Sequence, residues 1–298
     1  MKILNLVCPE KSDIKYKISK FPDGQQNIVI DSIVIDKSGR SLWTTDLFTH
    51  KVQIKSRLNN WLDLELIACA VASLRELGVE EIHLYTPYII GARSDRKFEE
   101  GGNNYLKDVI CPIINSLHFK TVTCIDPHSD VLEACIKNFK SIDNKALVKF
   151  FFADKIYEKY EDVIFIAPDG GSLKKIYKLA EQIGYKGDII TCSKDRDTDG
   201  ALTKTVVPWE EEYFGKDLII VDDICDDGAT FINIAEEIKE LTKDFNPPKI
   251  YLIVTHGLFS KGFQKLSKYF DGIYCTNSYR DTSNYCLIPN FVKQFDVF

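Results

Sequence analysis

Short β-branched runs alternate along this chain with segments of helical period, and that alternation limits the fold more than any other feature. Asp162–Ala167, Asp217–Asp222 and Lys249–His256 are apolar at nearly every position and too short for helices. Such runs predict strands buried on both faces, as in a parallel sheet. Between them, Leu173, Ile176, Ala180 and Ile183 recur at helical spacing, as do Phe231, Ile234, Ala235, Ile238 and Leu241. The N-terminal half repeats the theme. Met1–Val7 reads as a first strand. A helix over Leu62–Leu77 precedes a strand over Glu81–Thr86, and a helix over Tyr105–Leu117 precedes a strand over Lys120–Asp126. A further helix over Val131–Phe139 runs into the polar stretch Ile142–Lys145, which predicts a domain boundary. The expected fold is α/β, with two mostly parallel, doubly wound sheets flanked by helices, one in residues 1–143 and one in 144–298.

Composition removes several function classes. At 298 residues, 45% hydrophobic and 28% charged, the chain reads as globular and long enough for two cores. Its net charge of −6 argues against general nucleic-acid binding, which wants a basic face. No apolar run approaches the ~20 residues of a bilayer span. The N-terminal run lacks the long apolar core and small-residue cleavage site of a signal peptide. The expectation is therefore no nucleic-acid partner, no membrane and a cytoplasmic location. The nine cysteines contain no CxxC pair and sit mostly in apolar runs, so they read as free thiols in a reducing compartment, with no zinc site.

In sheets of this kind ligands bind beyond the carboxyl ends of the strands. The run ending in Asp222-Asp223 is followed by Asp226-Asp227-Gly228-Ala229-Thr230 and then a helical segment. Small residues let backbone N–H groups approach a phosphate, and a helix N-terminus adds positive potential. Two carboxylates at the end of the strand can accept hydrogen bonds from the hydroxyls of a ribose. The combination asks for a ribose phosphate. A GxxxxGK[ST] loop is absent, so ATP is not held in the Walker manner.

This pattern resembles the ribose-phosphate motif of type I phosphoribosyltransferases and of ribose-phosphate pyrophosphokinases (phosphoribosyl pyrophosphate synthetases). Other segments favour the second family. Pro87-Tyr88 through Ala92-Arg93-Ser94-Asp95-Arg96 resembles its P-Y-x-x-x-A-R-Q-D-R segment at the ATP site, with Ser94 in place of Gln. Asp126-Pro127-His128 resembles D-L-H, and Pro168-Asp169-Gly170-Gly171 resembles P-D-x-G-G. Cys192-Ser193-Lys194-Asp195-Arg196 resembles D-K-R-R, Phe21-Pro22-Asp23-Gly24-Gln25 resembles F-x-D-G-E, and Thr255-His256-Gly257-Leu258-Phe259-Ser260 resembles T-H-P-I-F-S. Each segment is short, but they occur in family order from Phe21 to Ser260.

The resemblance implies two domains of phosphoribosyltransferase type, an N-terminal one for ATP binding and oligomerisation and a C-terminal one for the ribose phosphate. It implies transfer of the β,γ-diphosphate of ATP to the anomeric hydroxyl of ribose 5-phosphate, with AMP leaving. Arg93, Ser94, Asp95 and Arg96 would bind ATP, together with Phe21, Asp23 and Gln25 reaching into a neighbouring subunit. His128 and Asp169 would hold Mg²⁺, and Lys194 and Arg196 would be catalytic. Asp222, Asp223 and residues 226–230 (Asp226, Asp227, Gly228, Ala229 and Thr230) would bind the ribose phosphate. The partner set is then ATP, a ribose 5-phosphate-type acceptor and further copies of the chain, as a dimer or a hexamer of dimers. Three departures matter. Gln25 replaces an acid, Asp195 replaces an Arg, and Asp227 replaces the Thr of the family's D-T-G-G-T loop. A carboxylate at that place disfavours a doubly charged terminal phosphate, so ADP-ribose, whose 5-phosphate is esterified, is the alternative acceptor, as in a viral NAD-rebuilding branch that the chain also resembles. The cytoplasm would then be that of a host. Two further readings stay open at this point, a non-catalytic regulatory subunit of an active synthetase and a phosphoribosyltransferase.

Overall fold

The computed structural model describes residues 1–31, 33–35, 41–43, 51–155, 157, 160–196, 202–282 and 285–298, with the side chains at 33–35, 41–43, 161, 194–196 and 202–204 outside that description. The chain divides into two compact units, Met1–Ile142 with Phe298, and Asp143–Val297. Phe298 packs on the first unit.

The first unit is built on a five-stranded parallel sheet. Its strands are β1 (Lys2–Asn5), β6 (Lys51–Lys55), β7 (Glu81–Tyr85), β8 (Thr121–Ile125) and β9 (Phe139–Ile142), in that spatial order. Between β1 and β6 lie an antiparallel hairpin, β2 (Tyr16–Lys20) with β3 (Gln26–Ile30), and a small pair, β4 (Ile33–Ile35) with β5 (Ser41–Trp43). Helix α1 (Trp61–Glu76) starts where the Asn60 side chain accepts the Asp63 amide and buries Leu64, Ile67, Ala70, Val71 and Leu74. It also carries the hairpin. The Gln26 side chain donates to the Leu62 carbonyl at 2.6 Å, and Ile28 is buried in the same core.

Two helices differ from expectation. The segment from Tyr105 opens as a π-helical turn, Leu106–Ile110, before α2 (Cys111–Ser116). Pro112 has no N–H to give the carbonyl four residues back, so the regular ladder fails there. The helix expected over Val131–Phe139 is only α3 (Val131–Cys135). Ile136 turns extended, Asn138 takes a left-handed backbone at φ 56°, and Phe139–Ile142 adds to the sheet edge as β9, pairing with Val122–Ile125. Asn tolerates that backbone better than most residues. Sheet pairing thus overrides the weak helical period.

The second unit holds a six-stranded parallel sheet. Its strands are β11 (Ile189–Thr191), β10 (Val163–Ala167), β14 (Asp217–Cys225), β15 (Ile250–Gly257), β16 (Gly272–Thr276) and β17 (Val292–Phe295), in that spatial order. Helices α4 (Lys145–Lys155), α5 (Gly170–Ile183) and α6 (Ala229–Leu241) flank it, and β12 (Ser193–Arg196) pairs antiparallel with β13 (Leu202–Val206). β14 shows why its run is apolar throughout. Ile219 and Val221 pack with α4 and α5, while Leu218 and Ile220 pack with α6. Burying each such side chain contributes ~1.5–3 kcal/mol. Strand alternation fixes which face each receives.

Among the described residues, no helix is long and apolar enough to cross a membrane. All nine cysteines are free thiols, and five of them are buried.

Candidate functional site

The motif segments sit almost entirely at or beyond the carboxyl ends of the parallel strands. In the first unit, residues 86–105 follow β7 and Asp126–Asp130 follow β8. In the second, Asp169 follows β10, β12 follows β11, and residues 226–230 follow β14. A cavity of about 350 Å³ lies elsewhere, at the amino ends of β7 and β8, among Glu81, His118, Lys120 and Lys137.

The acid pair is placed differently from expectation. β14 does not end at Asp222. It runs on to Cys225, because Asp222, Ile224 and Cys225 stay in register with Val254, His256 and Gly257 of β15. The acids therefore lie inside the strand, and alternation turns them toward opposite faces. Asp223, 5% exposed, follows Val221 toward α5, where the Lys175 ammonium reaches its carboxylate at 2.9 Å. Asp222 is half-buried and accepts the Asp223 amide at 2.9 Å. Burial, and then the neighbouring charge of Asp223, pushes the Asp222 carboxyl well above the usual carboxylate range. Asp169 adds to the same push, so the three acids share one field.

Asp169 is held by the start of α5. Its Oδ1 accepts the Gly171 and Ser172 amides at 3.0 and 3.2 Å, and the Ser172 hydroxyl bonds back to the Asp169 backbone, a reciprocal cap. The sequence assigned Asp169 to a metal. The structure adds a capping role that fixes the carboxylate rigidly.

The loop at residues 226–230 is shaped by Gly228. It has φ 83°, and a Cβ there would meet Leu266 Cδ2 at 2.7 Å. Only glycine fits both constraints. The Gly228 carbonyl accepts the Ile232 amide at 2.9 Å as α6 begins. Asp227 is exposed, yet its carboxylate accepts the Ala229 N–H at 3.0 Å. One amide of the loop is thus engaged by the loop's own carboxylate. Asp226 and Thr230 are half-buried, and the Asp226 carbonyl accepts the Ser260 amide at 3.1 Å, tying the loop to the segment after β15. Behind it, His256 is buried with Nδ1 2.9 Å from the Ser278 hydroxyl.

In the first unit, Arg93 and Arg96 are exposed, and the Arg96 guanidinium lies 5.4 Å from the Phe98 ring centroid. Ser94 and Asp95 are half-buried, and their carbonyls accept from the Leu106 amide at 3.1 Å and the Asn104 side chain at 2.6 Å. The arginines are thus presented by a loop tied down on both sides. Phe21, Asp23 and Gln25 form the tip of the β2–β3 hairpin, where Gly24 at φ 98° closes the turn and Asp23 accepts the Gln25 amide at 3.2 Å. All three side chains are exposed. His128 is also exposed, next to Asp126, which is buried despite a left-handed φ of 42°. Lys194 and Arg196 lie on β12; their side chains are outside the described residues.

Among the described residues, no three His, Cys, Asp or Glu side chains gather as a metal site. His128 belongs to the first unit and Asp169 to the second. Each alone, an amide-held carboxylate or an exposed imidazole, is the kind of donor that suits Mg²⁺ carried on phosphates, since that ion takes few protein ligands and keeps several waters. The residue that sequence reasoning missed is Lys175. Its helical position is ordinary, and only the packing of α5 on β14 brings it to Asp223.

The phosphoribosyl transferase domain family matches residues 138–276, the span holding this acid pair and loop. Ribose-phosphate pyrophosphokinase from Saccharolobus solfataricus is 28% identical over 82% of this chain and 78% of its own length. The enzyme of that name from Pyrococcus furiosus is 27% identical over 90% and 88%. A crystal structure of phosphoribosylpyrophosphate synthetase from Mycobacterium smegmatis shares the fold, with a TM-score of 0.72 over 97% of this chain and 88% of that one, at 17% identity. The relatives and the fold agree over most of the chain and the domain family over residues 138–276, and with the motif loops at the carboxyl ends of both sheets the chain is similar throughout to ribose-phosphate pyrophosphokinases.

Proposed function

We propose that the chain transfers the diphosphate of ATP to the anomeric hydroxyl of ribose 5-phosphate. The observation that carries this reading is the Asp222-Asp223 pair leading into the small-residue loop at the start of α6, in a chain whose relatives are named ribose-phosphate pyrophosphokinases. The anomeric oxygen forms a bond to the β-phosphorus, the bond from that phosphorus to the bridging oxygen breaks, and AMP departs with the electron pair. The hydroxyl proton passes to solvent.

The protein's part is positioning and charge neutralisation. The acid pair orients the ribose hydroxyls. The amides of Gly228 and Thr230 face the 5-phosphate at the helix N-terminus. Arg93 and Arg96 grip the nucleotide, with Ser94 and Asp95 shaping their loop. Lys194 and Arg196 neutralise charge on the transferring group. Asp169 and His128 would hold Mg²⁺, which when bound screens the phosphate charges. The exposed tip at Phe21, Asp23 and Gln25 completes the nucleotide site of a second copy, giving a homo-oligomer.

One observation favours ADP-ribose as acceptor. Asp227 already occupies the Ala229 amide, so the loop offers less to a doubly charged terminal phosphate. The test is AMP release from Mg-ATP by the purified chain, with ribose 5-phosphate and ADP-ribose offered separately. Release with ribose 5-phosphate supports the main reading, and release chiefly with ADP-ribose selects the second. Absence of release with either acceptor rejects both.

A further inference from the structure

The two acids of β14 have unlike surroundings, and the difference originates in one side chain on a neighbouring element. Asp223 faces α5 with its Oδ2 2.9 Å from Lys175 Nζ, and its residue is 5% exposed. Asp222, one position earlier, meets a backbone amide. A buried carboxylate with an ammonium 2.9 Å away is held in one orientation. A half-buried carboxylate beside another acid, with an amide for company, is pushed toward its neutral form. A carboxylate free to turn can take the hydroxyls of a diol in either of two senses, whereas one fixed by an ion pair takes them in one.

We propose that Lys175 is a positioning residue for the acceptor sugar: by anchoring Asp223 it makes the acid pair asymmetric, and the diol of the ribose is then held in a single orientation. Lys175 sits in the second turn of α5, the helix whose cap is Asp169. The ion pair therefore also ties that cap to β14. Lys175 acts through Asp223 and needs no contact with the sugar. The proposal rests on the reading of Asp222 and Asp223 as the ribose-binding acids.

The test is calorimetric binding of ribose 5-phosphate and of 2-deoxyribose 5-phosphate to the full chain and to Lys175→Met and Lys175→Arg. Wild type should prefer the ribose over the deoxyribose compound at least about tenfold, because losing a hydroxyl from a site built to bond it leaves a buried polar group unpaired. Lys175→Met should lose most of that preference, and Lys175→Arg should keep it. A purely structural role for the ion pair would weaken both sugars equally and leave the ratio intact, which overturns the proposal. Thermal melts of each variant separate unfolding from lost discrimination. Wild type that binds both sugars equally defeats the proposal alone, whereas wild type that binds neither defeats the functional reading beneath it.

Discussion

Replacing Asp227 with Thr should shift the balance between two acceptors, and the size of the shift follows from the loop. Asp227 is exposed, but its carboxylate is tethered to the Ala229 amide, so it stays at the loop and does not swing into solvent. A phosphate seated on the neighbouring amides would lie roughly 5 Å away. At that distance, in a water-like dielectric, one extra unit of negative charge costs about 1 kcal/mol. The terminal phosphate of ribose 5-phosphate carries about one more negative charge than the esterified phosphate of ADP-ribose. Removing the carboxylate should therefore favour ribose 5-phosphate relative to ADP-ribose by about fivefold, and more where protein excludes water. The assay is AMP release at subsaturating acceptor, comparing the ratio of kcat/KM values for the two sugars in wild type and Asp227→Thr. Raising the salt should shrink the shift, since the charge is exposed. A ratio that stays the same within twofold would refute the charge argument, even if both rates fell together.

Three further outcomes follow from the site. Gly228→Ala places a side chain at φ 83° against Leu266. It should cost about 1–2 kcal/mol for the left-handed backbone and a similar amount for the close contact, read as a lower urea midpoint. Asp169→Asn should keep the α5 cap and melt near wild type, while Asp169→Ala should lose about 1 kcal/mol. Both should lose Mg²⁺-dependent AMP release, so equal release by Asp169→Asn and wild type would remove Asp169 from the metal site. Asp222 has its folded-state value raised, so its contribution to stability is present at low pH and is lost as pH climbs from the usual carboxylate range toward that raised value. Melting temperatures of Asp222→Asn should accordingly gain on wild type between about pH 5 and 8. A constant difference across that window would contradict the burial argument.

Much of the fold was legible because strand-length apolar runs can fold in few ways. Val163–Ala167 and Ile250–Gly257 could hardly be anything but strands buried on both faces. The ends of elements were less legible. β14 continues through two acids because β15 supplies partners for its backbone, and nothing in Asp222-Asp223 announces that. Phe139–Ile142 becomes an edge strand because β8 lies beside it, although the local period is helical. β12 falls in the same class, since its partner β13 comes from later in the chain.

The candidate site divides along the same line. The order of the motif segments, the small residues at 228–230 and the presence of two adjacent acids are properties of the chain alone, because they depend on residue type and spacing. That Asp223 is paired with Lys175 was decided only by tertiary structure, whereas the Asp169 cap and the Asp227–Ala229 bond are local contacts over two or three residues. The physical reason is that an acid's charge state and reach depend on what is packed within a few ångströms of it, and for Asp223 that neighbour is 48 residues away in sequence.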